Sequence, residues 1–262
     1  MTKANLAGAK LRGGKFIDHD FTGADLSGAD MSHADLRWVN FTDADLNRAK
    51  FTSAELFEAK LIRARLANSY LGDVKAKKID ATGADLQNAD LPDADLGGAL
   101  FAGARLAEVK ARGANLRWTD LTGANLDGAD LMDAILVGAR AEDAQFRGTN
   151  LGGADLDGAL LRHAVLRDAN LVQASLKGAD LTGADLGGAV LRGARLIDAQ
   201  VDGADLRTSL FSDEDLEGVI WTAGTRWPPS VDIADLWAKS DEFSPGLFRV
   251  RPEPVENSVA LA

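Results

Sequence analysis

Large apolar residues recur at every fifth position along most of this chain. The series starts at Leu6 and reaches Trp221 through 44 consecutive positions without an insertion or a deletion. Leu fills 30 of these positions, Phe fills 7, and four are Ala. Two residues before each of them lies a small residue, which is Ala in 32 of the 44 units. An unbroken period of this kind indicates a repeat architecture.

A period of five excludes both a continuous helix and a flat strand. At 3.6 residues per turn the leucines would spread around a helix, and an odd step along a strand would alternate between its two faces. The small and the large residue of a unit are two apart, so they point to the same side of an extended segment. Two residues after the large one, 20 units have Gly and 13 have Asp, Asn or His, which tolerate positive φ best. Each unit is therefore predicted to be one short extended side and one turn.

These units resemble the pentapeptide-repeat family, whose consensus is A-(D/N)-L-x-x. The stretches ADLSG at 24–28, ANLDG at 124–128 and ADLGG at 184–188 follow it, and the resemblance extends over residues 4–223. In that family four units make one coil of a right-handed quadrilateral β-helix. The resemblance thus implies an all-β solenoid of about 11 uninterrupted coils, about 53 Å long at the spacing of stacked strands.

The segment VKAKKIDATGADL, residues 74–86, departs most from the consensus. Ala76 and Ala81 occupy large positions, while Val74 and Ile79 occupy the small positions before them. Because each exchange roughly conserves the inward volume, we predict that residues 73–82 stay in the coil without a loop. Outside, three lysines form a basic spot on a largely acidic rod: Lys75, Lys77 and Lys78.

The repeat pattern ends near residue 223. Pro228 and Pro229 interrupt strand formation, and Ser230 is a candidate N-cap, so residues 224–240 are predicted to close the rod with a short α-helix. Residues 241–262 are predicted to be an irregular tail. Gyrase-protecting members of the family dimerise through their C-terminal ends, so an apolar cluster here is equally consistent with an intramolecular cap or a homodimer contact: Phe211, Ile220, Trp221, Trp227, Ile233, Leu236 and Trp237.

Composition narrows the classes of function. The net charge is −11, and nonspecific nucleic-acid binding needs a basic surface instead. The chain has no Cys, and its three histidines are scattered at His19, His33 and His163. No catalytic grouping stands out, so we expect no enzyme activity, metal, cofactor or small-molecule substrate. No apolar run is long enough to span a membrane, and the expected location is the cytoplasm.

One side of the predicted coil is more acidic than the others. It has a net charge of −4 over its outward positions and includes Asp20, Asp80, Asp120 and Asp180. A solvated β-surface is the simpler explanation of these aspartates, and an acidic partner face is the functional alternative. The family resemblance implies one such partner, because its acidic, DNA-mimicking rods bind DNA gyrase and protect it from quinolones or other antibiotics.

Two tryptophans occupy outward corner positions in similar surroundings. Trp38 and Trp118 are 80 residues apart, which is four coils, so we expect them on one edge about 19 Å apart. They are candidate exposed anchors for a partner protein. Packing of each ring over the neighbouring arginine, Arg37 or Arg117, is the alternative.

We therefore predict a non-enzymatic binding protein that acts on gyrase or another topoisomerase. Two observations weaken this prediction: the quinolone-resistance members often carry loops that are missing here, and the charge is modest, since a duplex of the same length carries about 30 phosphates. The alternative is an interaction or scaffold protein with no topoisomerase role. One continuous negative stripe would favour mimicry of DNA, and a patchwork of charge would favour a scaffold.

Overall fold

A ladder of parallel backbone bridges runs along the chain in the computed structural model, which describes residues 4–252. Each bridge joins a residue to the one 20 positions later, from Asn5 with Asp25 to Gln200 with Ile220. The bridges fall at every fifth residue, so each 20-residue coil has four sides. The predicted β-helix solenoid is therefore confirmed.

Residues with positive φ form the corners of the coils. Every fifth residue from Gly8 to Gly203 has φ between 53° and 75°. The Asp or Asn that precedes the large residue supports the corner, because its side chain accepts the N–H two residues later, as Asp20 Oδ1 does from Thr22 at 2.9 Å. The consensus Asp or Asn thus has a structural role in this fold.

The interior is a stack of the large and small positions of the repeat. Leu26, Met31, Leu36 and Phe41 have no exposed surface, and neither do the alanines between them. Burying each such large side chain contributes roughly 1.5–3 kcal/mol. Successive coils thereby share one continuous core.

The segment with the three lysines follows the coil without interruption. Lys75 bridges both Glu55 and Asp95, and Val74 and Ile79 are buried together with the alanines that follow them. The prediction that residues 73–82 form no loop is confirmed, because the exchanged pairs fill the same interior space.

Several inward positions hold a hydroxyl in place of Ala. Thr119, Thr149 and Ser209 each donate a hydrogen bond to a backbone carbonyl at 2.8 Å. Ser69 is completely buried, and its Oγ has no partner among the described residues.

Replacing Ser69 with Ala is expected to raise the free energy of unfolding by about 1 kcal/mol, because it removes a buried hydroxyl with no hydrogen bond. Chemical denaturation measures this change. The matched control is Ser209→Ala, which breaks a hydrogen bond and is expected to lower stability by about 1 kcal/mol. A lower free energy of unfolding in the Ser69 variant would show that the Ser69 hydroxyl does form a stabilising hydrogen bond.

Regular secondary structure appears only after residue 212 in the described chain. In order, the elements are a 3-10 turn at Asp213–Leu216, β1 at Ile220–Trp221, α1 at Ile233–Ala238, β2 at Ser240–Ser244 and β3 at Leu247–Val250. The strands form one sheet in the order β1-β3-β2, with antiparallel pairs. Because β1 continues the ladder of the coils, β3 covers the C-terminal edge of that side.

The prediction of an irregular tail over residues 241–262 was wrong for β2 and β3. Pro245 and Gly246 form the turn between these strands, with φ of 73° at Gly246, and Pro-Gly is a turn signal that the sequence interpretation missed. The pairing of β3 with β1 supplies hydrogen bonds that the tail could not form alone. Residues 253–262 lie outside the described part of the chain.

The N-cap of the closing helix lies two residues later than predicted. Asp232, not Ser230, is the N-cap, and its Oδ1 accepts the N–H groups of Ala234 and Asp235 at 2.9 and 3.2 Å. The repeat also ends later than residue 223, because Arg226 still pairs with Asp205 after one extra residue.

Candidate interaction surfaces

One corner of the stack carries both candidate tryptophan anchors. Trp38 and Trp118 lie at corner positions with φ of 59° and 58°. Backbone hydrogen bonds connect their coils in register through the intervening ones: Trp38 N–H to Phe57, Glu58 to Lys77, Lys78 to Gly97 and Gly98 to Arg117. The structure therefore places both residues in one column, as the spacing of 80 residues predicts.

Trp38 is held by its neighbours. Its Nε1 donates to Glu58 Oε2 at 3.1 Å, and the Arg37 guanidinium lies 5.5 Å from the centre of its ring. Phe57 contacts the ring edge-on at 6.3 Å. These contacts leave 43% of Trp38 exposed and give it a structural role in its corner.

Trp118 is far more exposed, at 68%. Its ring lies over Gly138 in the next coil, where an added Cβ would be 2.2 Å from the ring. The Arg117 guanidinium points to Asn115 Oδ1 at 3.4 Å, and within residues 4–252 a cation–π contact is found at Trp38 but not at Trp118. The two near-identical sequence motifs thus give different environments.

Trp118 lies between two glycine corners. Gly98 and Gly138 occupy the same corner in the adjoining coils, Val137 precedes Gly138, and Leu100 is exposed shortly after Gly98. We call Leu100, Trp118 and Val137 the Trp118 patch. Leu100 lies in the ladder between Asp80 and Asp120, so charged residues border the patch.

The candidate acidic face is interrupted along the stack. Asp20, Asp80, Asp120 and Asp180 lie in one ladder, and Lys60 and Arg140 occupy rungs between them. Hydrogen bonds from Thr22 hold the pKa of Asp20 below its usual value. Asp180 is almost fully buried and is paired with Arg162. Some carboxylates of this column therefore accept hydrogen bonds at the corners of the coil or pair with arginines.

The net charge differs between adjoining coils. Residues 84–103 contain four aspartates and no Lys or Arg, while residues 104–123 contain four basic residues and two acidic ones. Ion pairs link neighbouring coils, 20 residues apart: Arg63–Asp43, Arg65–Asp45, Lys75–Glu55, Lys78–Glu58, Arg105–Asp85, Arg140–Asp120 and Arg147–Asp127. The surface is a patchwork and not one negative stripe.

The predicted C-terminal cluster assembles within the chain around Trp221. This residue is 2% exposed, and its ring centre lies 6.1 Å from that of Trp227 and 4.8 Å from that of Trp237. Phe211 packs against Trp227, and Leu236 is buried. Ile220 is half-buried in β1, whereas Ile233 and Trp237 keep substantial exposed surface.

The part of the chain that the structure describes has neither a candidate metal site nor a candidate membrane-spanning helix. In residues 4–252 no three His, Asp or Glu side chains are grouped so that they could hold a metal ion. Over the same residues we find no helix with the length and apolarity needed to cross a membrane.

Comparison with protein families matches the repeat directly. The model for pentapeptide repeats matches over residues 4–138 and 142–213. The chain belongs to the pentapeptide-repeat family. No curated protein shows a significant match to this pentapeptide-repeat chain.

Several solved structures are similar to this pentapeptide-repeat chain. HetL from the cyanobacterium Nostoc sp. strain PCC 7120, involved in heterocyst differentiation regulation, is 31% identical, with 83% of this chain and 94% of HetL covered and a TM-score of 0.36. Rfr23 from the cyanobacterium Cyanothece 51142 is 35% identical over 41% of this chain and 63% of its own, with a TM-score of 0.31. QnrB1, a plasmid-mediated fluoroquinolone resistance protein, is 20% identical over 66% and 92%, with a TM-score of 0.38.

Proposed function

We propose that this pentapeptide-repeat rod is a non-enzymatic protein-binding scaffold and that the Trp118 patch is its contact surface. The rod has about 11 coils at four repeat units per coil, is closed at its C-terminal end by α1 and the hairpin of β2 and β3, and works in the cytoplasm. The partner is a protein, not a nucleic acid or a membrane.

The conformation and exposure of Trp118 carry this proposal. A left-handed backbone costs a residue with a side chain roughly 1–2 kcal/mol, and many equivalent corners avoid the cost by having Gly. At Trp38, the hydrogen bond to Glu58 and the ring contact with Phe57 offset part of this conformational cost. Trp118 is mostly exposed. The same conformation occurs at 21 non-Gly corners of the described chain, so the exposure of the Trp118 ring is what favours an intermolecular contact over a role in the fold.

Replacing Trp118 with Gly is therefore expected to raise the free energy of unfolding by about 1 kcal/mol, through relief of the left-handed backbone. Urea denaturation provides the measurement. Gly148 lies at the diagonally opposite corner with φ of 62° and open space around it, so Gly148→Trp is the reciprocal control and is expected to lower stability by a similar amount. A large loss of stability in the Trp118 variant would assign this residue to the fold and remove the main support for the patch.

Gyrase modulation is the second candidate function. The net charge of −11 and the aspartate-only coil at residues 84–103 favour it, whereas the interrupted Asp20–Asp180 column favours the scaffold. Supercoiling by purified gyrase, titrated with this protein with and without a quinolone, distinguishes the two. Inhibition or protection would establish the gyrase role, and no effect together with no complex on a sizing column would eliminate it.

We propose a monomer in preference to the C-terminal homodimer. The rings around Trp221 are packed within one chain, and the outer strand β2 carries Asp241 and Glu242. In an antiparallel pair of two β2 strands these carboxylates would approach their copies, which destabilises the pairing. Light scattering that gives the mass of two chains would contradict this part of the proposal.

A further inference from the structure

The residues that follow Trp221, up to Val250, are called the closing segment. A cleft of about 1080 Å³ separates this segment from the last coils. One wall is aromatic and belongs to the segment after Trp221, and the other is polar and belongs to a corner of the coils. The lining residues include Asp168, Gly187, Thr208, Trp227, Pro229 and Trp237. This cleft involves none of the residues of the Trp118 patch.

The aromatic wall presents tryptophan rings and a proline to the cleft. Trp237 is 42% exposed, and its ring is fixed edge-on against Phe248 at 4.3 Å. The indole Nε1 of Trp227 is buried without an acceptor among the described residues, so it is not open to a ligand. Aromatic grooves are suited to extended peptides, whose prolines pack on the rings.

The polar wall carries fixed charges. Arg207 pairs with Asp205 through two hydrogen bonds at 2.9 and 2.6 Å, and Arg167 pairs with Asp185. The hydrogen bonds from Arg207, with a further contribution from Arg226, lower the pKa of Asp205 to about 2. Asp168 also lines the cleft. It interacts with the charge of Arg167 but forms no direct salt bridge within the part of the chain that the structure describes. Its carboxylate can therefore contact a ligand cation.

We propose that this cleft binds an extended, proline-containing peptide segment that carries a Lys or Arg side chain. The proline packs on Trp237 and Pro229, and the cation reaches Asp168. An anionic ligand such as a phosphate is disfavoured by the carboxylates of the polar wall.

The polar wall extends along the rod. Asp168 and Thr208 lie at equivalent positions two coils apart, which is about 10 Å along the rod. A polyproline II segment rises about 3.1 Å per residue, so about three residues of the peptide span this wall, and the probes place the cation at that separation from the proline.

Gly187 offers a way to block the cleft without disturbing the coil. Arg167 and Arg207 occupy the same column in the adjoining coils, so long side chains fit there. A Cβ on Gly187 would lie 3.3 Å from Asp185 Oδ1 and 3.4 Å from Thr208 Oγ1. Gly152 on another side is a matched control, since its Cβ would lie 3.3 and 3.4 Å from the side chains of Asn150 and Asn170.

Fluorescence polarisation with two labelled peptides tests the proposal. The probes contain a Pro-Leu-Pro core with Lys three residues after or three residues before the terminal proline, and companion probes have Glu in place of Lys. We expect saturable binding of at least one Lys probe to the full chain, about tenfold weaker binding to Gly187→Leu, and unchanged binding to Gly152→Leu. Asp168→Asn is expected to remove the preference for Lys over Glu, which is about threefold for one exposed ion pair.

Each other outcome overturns a defined part of the proposal. Failure of both Lys probes to saturate would eliminate the peptide site, and so would equal binding to Gly187→Leu and Gly152→Leu. Equal binding of the Lys and Glu probes to the unmodified chain would eliminate the role of Asp168.

Discussion

Trp221→Ala is expected to lower the free energy of unfolding by about 3–5 kcal/mol, the cost of removing a fully buried aromatic ring. This ring contacts Trp227, Trp237 and Phe248, and its Nε1 donates to Ser240 Oγ at 3.0 Å. It therefore joins the last coil to every part of the closing segment. Its removal leaves a cavity between the last coil and the closing segment, and it leaves the Ser240 hydroxyl without the Trp221 N–H donor.

Denaturant unfolding followed by tryptophan fluorescence and by circular dichroism measures this effect. We expect the closing segment of the variant to unfold before the coils, so that the two signals no longer coincide. The control is Trp237→Ala, which removes a half-exposed ring and is expected to cost less. A Trp221 variant as stable as the unmodified chain would show that the coils do not depend on this closure.

Deletion of two residues, Asn88 and Ala89, is expected to abolish cooperative folding. The deletion shifts the pattern by two positions, so corner residues such as Asp93 and Glu108 would fall on inward positions where Leu91 and Leu106 are now buried. Each uncompensated buried carboxylate costs several kcal/mol, and the shift recurs in every later unit. The summed cost exceeds the stability of an ordinary domain.

Deletion of five residues, 87–91, is the matched control and is expected to be tolerated. It joins Leu86 to Pro92 and keeps the pattern of inward and corner positions intact. It separates pairs such as Arg105 and Asp85, which contribute at most about 1 kcal/mol as exposed ion pairs. Circular dichroism during thermal unfolding compares the two deletions. Equal loss of structure in both would contradict the five-residue register.

The sequence predicted the coils well because each unit repeats the same physical requirement. An inward pair two residues apart and a corner that accepts positive φ determine every side, and even the segment of Val74 and Ile79 obeys the rule. The closing segment has no such redundancy. Its hairpin forms because β3 pairs with β1, a long-range contact with only the Pro245-Gly246 turn as a local signal.

The surfaces were less predictable than the fold for a related reason. Trp38 and Trp118 share a corner and a sequence motif, and their difference comes from the next coil, where one meets Glu58 and the other meets Gly138. The cleft beside Trp227 depends on how the closing segment lies over the last coils. Interactions between coils are 20 residues apart in the chain, so a local motif does not reveal them.

Photo-crosslinking in the cells that encode the chain tests whether the Trp118 patch contacts a partner protein. A photoreactive residue is placed at position 118 in one variant and at the opposite corner, position 148, in another. We expect one discrete protein adduct from position 118 and none from position 148, and the identity of the adduct separates gyrase from another partner. Adducts of equal yield from both positions, or none from position 118, would contradict the assignment of the Trp118 patch as the contact surface.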